Sequence, residues 1–202
     1  PVRTGPQNTS NSTFTPSKLI TPSTVQTETA NPTDQDIKLS ISFISSNESK
    51  GGPQLKAYPD QDFTNAAITD SSIAEFPFTY RIGWGSDTIT YPDSSVTKVV
   101  RTSRITPQQA DLDLARRIKE EFKPKVVSRL NSRGVNYNSL PMQLKVVFID
   151  LAYNYGTLFY DFIEAYKTNE VQGVIDELQR RANLGESQVP TRRLAEITYL
   201  GG

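Results

Sequence analysis

Cysteine and histidine are both absent from the 202 residues, and methionine and tryptophan occur once each. Without thiol or imidazole the chain has no cysteine nucleophile, no serine–histidine relay, no disulfide framework and no histidine-rich zinc site. Catalysis, if present, falls to carboxylates, which need neither metal nor cofactor. Long apolar runs are missing as well. No stretch approaches the roughly 20 residues that cross a bilayer as a helix, so membrane insertion is not expected. No signal-peptide pattern opens the sequence, and an extracytoplasmic target would need another route of delivery. Net charge is zero, but residues 98–133 hold ten Lys/Arg against four acids. Such a segment attracts anionic polymers such as nucleic acid or cell wall, unless it is simply a solvated helix face. No nucleic-acid-binding motif accompanies it, so nucleic acid is not expected as a partner.

Residues 1–32 form a Thr/Ser/Asn/Pro-rich tract with almost no apolar periodicity. It cannot bury enough surface to offset its chain entropy, so it is expected to be an extended linker or tether. The pattern then changes, and residues 33–202 read as one domain. Thr33 or Asp34 can cap a helix in which Ile37, Ile41 and Ile44 recur, with Leu39 and Phe43 alongside. That helix is predicted to run to Glu48 and to stop at Gly51-Gly52-Pro53. Over residues 55–105 the helical period is lost. Leu55–Tyr58, Phe78–Trp84 and Val96–Ile105 read as short strands of a small antiparallel sheet.

The remainder, about 106–200, is helical by clear signals. Thr106-Pro107-Gln108-Gln109 supplies a cap, a first-turn proline and a capping-box glutamine, and Leu114, Ile118, Phe122, Val126 and Leu130 follow at steps of four. Pro124 is predicted to kink or divide that helix. Ser139–Tyr155 is apolar on nearly every face and belongs in the middle of a bundle, with Gly156 as its cap. Shorter helices are predicted over 158–167, 170–183 and 190–200. The fold class expected is α+β, a small antiparallel sheet lobe plus a larger helical lobe around a central buried helix.

In this order, LKAYPD (55–60), YRIGWGS (80–86), ITPQQADLDL (105–114), LPMQLKVVFIDLAYNYG (140–156) and PTRRLAEITYL (190–200) resemble the phage-type lysozymes, glycoside hydrolase family twenty-four. The resemblance implies a cleft between the two lobes and hydrolysis of the bond between N-acetylmuramic acid and N-acetylglucosamine in bacterial peptidoglycan. It makes Glu48 the general acid and Asp60 the carboxylate that positions or activates water. An acid must protonate the leaving oxygen, and a second carboxylate leaves room for water when it stands off at a distance. The family's third site residue is a threonine, and here Arg81 holds that place, with Thr79 two residues earlier on the same strand face. Thr79 is the candidate hydroxyl if a bulge shifts the register; Arg81 would otherwise pair with Asp60 directly.

Trp84, Gly85 and Asn154 are expected at the substrate, and Gly83 either admits a sugar or permits a bend. Arg192 and Arg193 match the family's arginine pair and are expected to pack against the helical lobe. Two further departures from the family are the longer Glu48–Asp60 spacing and the insertion after Asp60, where Glu75 is a reserve acid. The tether and the start at proline favour an enzyme carried in the virion, on a tail or baseplate whose proteins bind residues 1–32, and acting on the host wall or periplasm. The alternatives are a free endolysin held in the host cytoplasm until lysis, and an inactive lysozyme-like structural tail component.

Overall fold

The computed structural model describes residues 32–48, 51–60, 79–184 and 190–202. Residues 1–31 of the expected tether and most of the insertion after Asp60 lie outside them. Helix α1 spans Pro32–Glu48 and ends on the glutamate, as its periodicity predicts. Ile44 is fully buried, and Ile37 and Ile41 pack against the same core. The helix is pinned near both ends. Buried Asp36 accepts a hydrogen bond from the Tyr137 hydroxyl and pairs with Lys123 at 2.8 Å, while the Phe43 ring lies 4.8 Å from that of Tyr199. These contacts fix where the last residue of α1 is delivered.

After a turn with Gly52 in the left-handed region, β1 (Gln54–Pro59) pairs antiparallel with β2 (Tyr80–Gly83). Gln54 lies opposite Gly83 and Tyr58 opposite Arg81, so four steps along β1 match two along β2. This bulge lies just ahead of Asp60 and takes up extra chain between Glu48 and Asp60. A second pair, β3 (Thr88–Thr90) with β4 (Val96–Lys98), forms its own two-stranded sheet.

The single sheet predicted from the sequence is therefore two; two strand predictions change and one strand is new. Gly83, at φ +61°, ends β2 before Trp84. The expected strand 96–105 breaks after Lys98 because Ser103 turns back, its amide bonding the Val100 carbonyl and its hydroxyl accepting the Val100 amide. The chain then lines the other edge of β1 through Ser103 and Ile105. Strand β3 was not foreseen: it is three residues long and carries two threonines tied to Asp113, so its signal is side-chain bonding rather than apolar alternation. Ile82, Ile89 and Val99 make a small apolar core for these strands.

The larger core belongs to the helices. α2 (Pro107–Arg117) starts with the predicted capping box, both reciprocal bonds between Thr106 and Gln109 being present. A π-helical turn, Ile118–Phe122, joins it to α3 (Lys123–Asn131). Pro124 explains the turn: it has no N–H to donate, and a regular α-turn would drive its ring against the Glu120 carbonyl, whereas a wider turn relieves both. Leu114, Ile118, Phe122, Val126 and Leu130 are all buried.

α4 (Met142–Tyr155) begins three residues later than predicted because Tyr137–Ser139 form a 3-10 turn. From Val146 to Ala152 every residue is fully buried, each large apolar side chain contributing about 1.5–3 kcal/mol. α5 (Tyr160–Asn183) contains a break at Asn169 and Glu170, so the two helices expected here are the arms of one kinked element. α6 (Pro190–Tyr199) packs on α5 and α4. The architecture is α+β, with a small sheet region and a helical region that each have their own core.

Candidate active site

Glu48 leaves α1 at a surface that is neither sealed nor open, its side chain 25% exposed. Its partner comes from the far end of the chain. Arg192, buried near the start of α6, directs Nη1 at Glu48 Oε1, while its Nε and Nη2 bond Oδ2 and Oδ1 of fully buried Asp150 in α4. One guanidinium thus serves three acceptor oxygens through its planar fork. Burial pulls the Arg192 proton affinity down, but the hydrogen bond and charge of Asp150, then those of Glu48, outweigh it, and the net shift is upward. Arg192 is a permanent cation behind Glu48. Asn154, one turn along α4, donates to the Asp150 carbonyl at 2.8 Å and to its carboxylate at 3.2 Å. Its amide therefore supports Asp150. The arginine pair expected to pack against the helical lobe does pack there, and Arg192 also holds Glu48.

Asp60 follows β1 and is anchored across the strand pair. Its amide donates to the Thr79 carbonyl at 2.9 Å, and its carboxylate receives Arg81 Nε at 2.8 Å. Arg81 and Asp60 are 32% and 20% exposed, so solvent reaches both. Arg81, not the hydroxyl of Thr79, engages the aspartate; Thr79 is exposed and contributes its backbone. Arg81 Nη1 also reaches the Gly85 carbonyl at 3.5 Å. Gly85 sits at φ +84°, and a side chain there would lie 3.5 Å from the Tyr153 hydroxyl and 3.9 Å from that of Tyr58.

Tyr58 and Tyr153 lie within reach of the charge of Glu48. Burial raises the Tyr58 pKa first, with Glu48 next; Arg81 lowers it and Asp60 raises it again, so both candidate carboxylates act on one phenol. Tyr153 donates to the Trp84 carbonyl and lies 5.5 Å from the Arg192 guanidinium carbon. Burial, then Glu48, raises its pKa as well. Asp60 is thus tied through Arg81 to the Gly85 carbonyl, and Glu48 to Arg192, whose guanidinium lies against the Tyr153 ring.

Other expected residues are placed more plainly. The Trp84 indole N–H is bonded to Asp111 at 2.8 Å, which fixes its plane. At Gly83 an added Cβ would meet Ala110 at 3.2 Å, so this glycine serves close packing of β2 on α2. Glu75 lies outside the described residues. In the basic segment, Arg116 is tied to Thr88, Thr90 and Glu121, Arg117 to Glu121 and Lys123 to Asp36, so these cations are spent within the fold. Among the described residues no group of three or more Asp or Glu is arranged to hold a metal ion.

Asp150 and the two tyrosines were not singled out in the sequence. A charged residue inside an otherwise apolar helix was the available signal for Asp150. The tyrosines fall inside the LKAYPD and LPMQLKVVFIDLAYNYG stretches, but aromatic residues in strands and core helices are ordinary and neither stood out. No protein-family model and no curated protein matches the chain.

Proposed function

We propose that this chain is a peptidoglycan muramidase of the phage lysozyme type, with Glu48 as general acid and Asp60 as the carboxylate that positions or activates water. One observation carries the reading. Two partly exposed carboxylates, one ending a helix of the helical region and one following a strand of the sheet region, both raise the pKa of the same half-buried phenol and are each held by an arginine. Protonation of the leaving oxygen by one carboxyl group and activation of water by another is the minimum machinery for glycoside hydrolysis, and it needs no histidine. In the proposed complex Arg192 orients Glu48 toward the glycosidic oxygen, and Arg81 keeps Asp60 turned to the opposite face of the sugar. Trp84 and Gly85 form the floor beneath the glycan.

The resemblance of the ordered motifs supplies the substrate class, and the Thr/Ser/Pro-rich tether supports a tail or baseplate enzyme over a free endolysin. Arg81, in the place of the family's threonine, favours a second reading, a lysozyme-like tail component without turnover. Digestion of purified peptidoglycan separates the two. The proposed activity releases soluble muropeptides whose new reducing ends, after borohydride reduction, are muramitol. Reduced glucosamine ends would reassign the bond cleaved, and no release by folded protein would favour the inactive component.

A further inference from the structure

Behind the Glu48–Arg192 contact lies a group of charges that the proposed chemistry does not use directly. Glu196, on α6, is fully buried, as is Asp150, and Arg193 is nearly so. Arg193 Nη1 lies 2.6 Å from Glu196 Oε2, a charge contact whose angle is not that of a hydrogen bond, and both Glu196 carboxyl oxygens are left without a conventional donor. α6 packs on α4, and the consecutive arginines Arg192 and Arg193 grip one buried acid each, Asp150 and Glu196, which brings the two carboxyl groups together behind Glu48. Two ionised carboxylates in contact inside a protein repel, and neither can donate; a single proton between them converts the contact into a hydrogen bond.

Charge counting leads to the same place. Three acids, Glu48, Asp150 and Glu196, face two arginines, Arg192 and Arg193. In the substrate-free protein the group is balanced when one acid is neutral and Glu48 is ionised; the general-acid role requires Glu48, the one of the three that solvent reaches, to take up a proton before each turnover. On α5, packed on α6, Arg181 is paired with Glu177 and Asp161.

We propose that Glu196 keeps its proton at neutral pH and shares it with Asp150, and that this buried acid pair is the positioning device that holds Arg192 against Glu48. The proton leaves Asp150 as the anion, so both of its oxygens stay available to the Nε and Nη2 edge of Arg192, and Nη1 is turned toward Glu48. Burial first, then the hydrogen bond and charge of Asp150, push Glu196 up to about 10, against the opposing pull of Arg193 and Arg192. The positioning role rests on the muramidase reading of Glu48; the shared proton does not.

The test is carbon-13 NMR of the full chain labelled at the glutamate side-chain carboxyl carbon, followed across pH. One glutamate resonance should hold its protonated shift through neutral pH, vanish in Glu196→Gln, and titrate at lower pH in Asp150→Asn, where burial alone still raises it. A spectrum in which every glutamate is ionised at neutral pH overturns the shared proton, whether or not the protein cleaves peptidoglycan. For the positioning role, Glu196→Ala should lose at least tenfold in muropeptide release, and Glu196→Gln, which mimics the neutral acid, should recover most of it. Equal loss in both variants, or none in either, overturns that role.

Discussion

At the scale of single residues, Arg192 and Arg81 separate two kinds of ion pair. Arg192 is 4% exposed and its loss would strand Asp150, fully buried, without its countercharge. Truncating one member of a buried pair typically costs about 3–5 kcal/mol, so Arg192→Ala is expected to lower stability by that order in chemical denaturation. Arg81 and Asp60 are both partly solvated, and such pairs contribute about 0–1 kcal/mol. Arg81→Ala should therefore unfold almost where the wild type does, while slowing muropeptide release by freeing Asp60. A loss of several kcal/mol in Arg81→Ala would mean that the sheet region depends on this pair. The pairing of Arg81 with Asp60 was one of the two outcomes expected from its place in the motif, whereas the hold of Arg192 on Glu48 was not foreseen. Arg192 and Glu48 stand 144 positions apart, and no local pattern links them.

At the scale of elements, what could be read in advance was what is local. The capping box at Thr106, the apolar run of α4 and the left-handed cap at Gly156 each depend on residues within a turn or two, and each is present. The split into two sheets was not legible, because it depends on a Ser103 turn and on threonines reaching Asp113 across the chain. Two glycines differ in the same way. Gly156 and Gly83 both have positive φ, but a Cβ at Gly156 meets nothing within 4 Å, whereas one at Gly83 meets Ala110 at 3.2 Å and Ile105 at 3.3 Å. Gly156→Ala is expected to cost about 1–2 kcal/mol from backbone strain alone. Gly83→Ala should cost more, since α2 must also give way. Thermal unfolding of the two variants side by side checks the order, and equal shifts would show that α2 yields freely.

At the scale of the whole molecule, pH dependence and local opening follow from where the charges are buried. Glu196 has its folded value raised to about 10, above the ordinary carboxyl range. Its contribution to stability is complete below that range, where folded and unfolded states are both protonated. It is lost progressively as pH rises toward the folded value, because the unfolded chain releases the proton first. Glu177, lowered first by its hydrogen bond to Arg180, works in the opposite sense and loses its contribution as pH falls through the carboxyl range. The melting temperature of Glu196→Gln should therefore gain on that of the wild type as pH is raised from about 5 to about 9. A constant gap would mean that Glu196 titrates normally. Hydrogen exchange should be slowest in α4, whose residues 146–152 are fully buried, and fast in β4, whose three residues are all exposed.

The central claim is that Glu48 is the acid of a carboxylate hydrolase, and its most direct test is the rate of muropeptide release by wild type and Glu48→Gln on the same purified peptidoglycan. General acid catalysis is worth about 10²–10⁴ in rate. The glutamine variant should remain folded, keep a hydrogen-bonding partner for Arg192, and fall by at least about 100-fold. Equal release by the two proteins would contradict the assignment of Glu48.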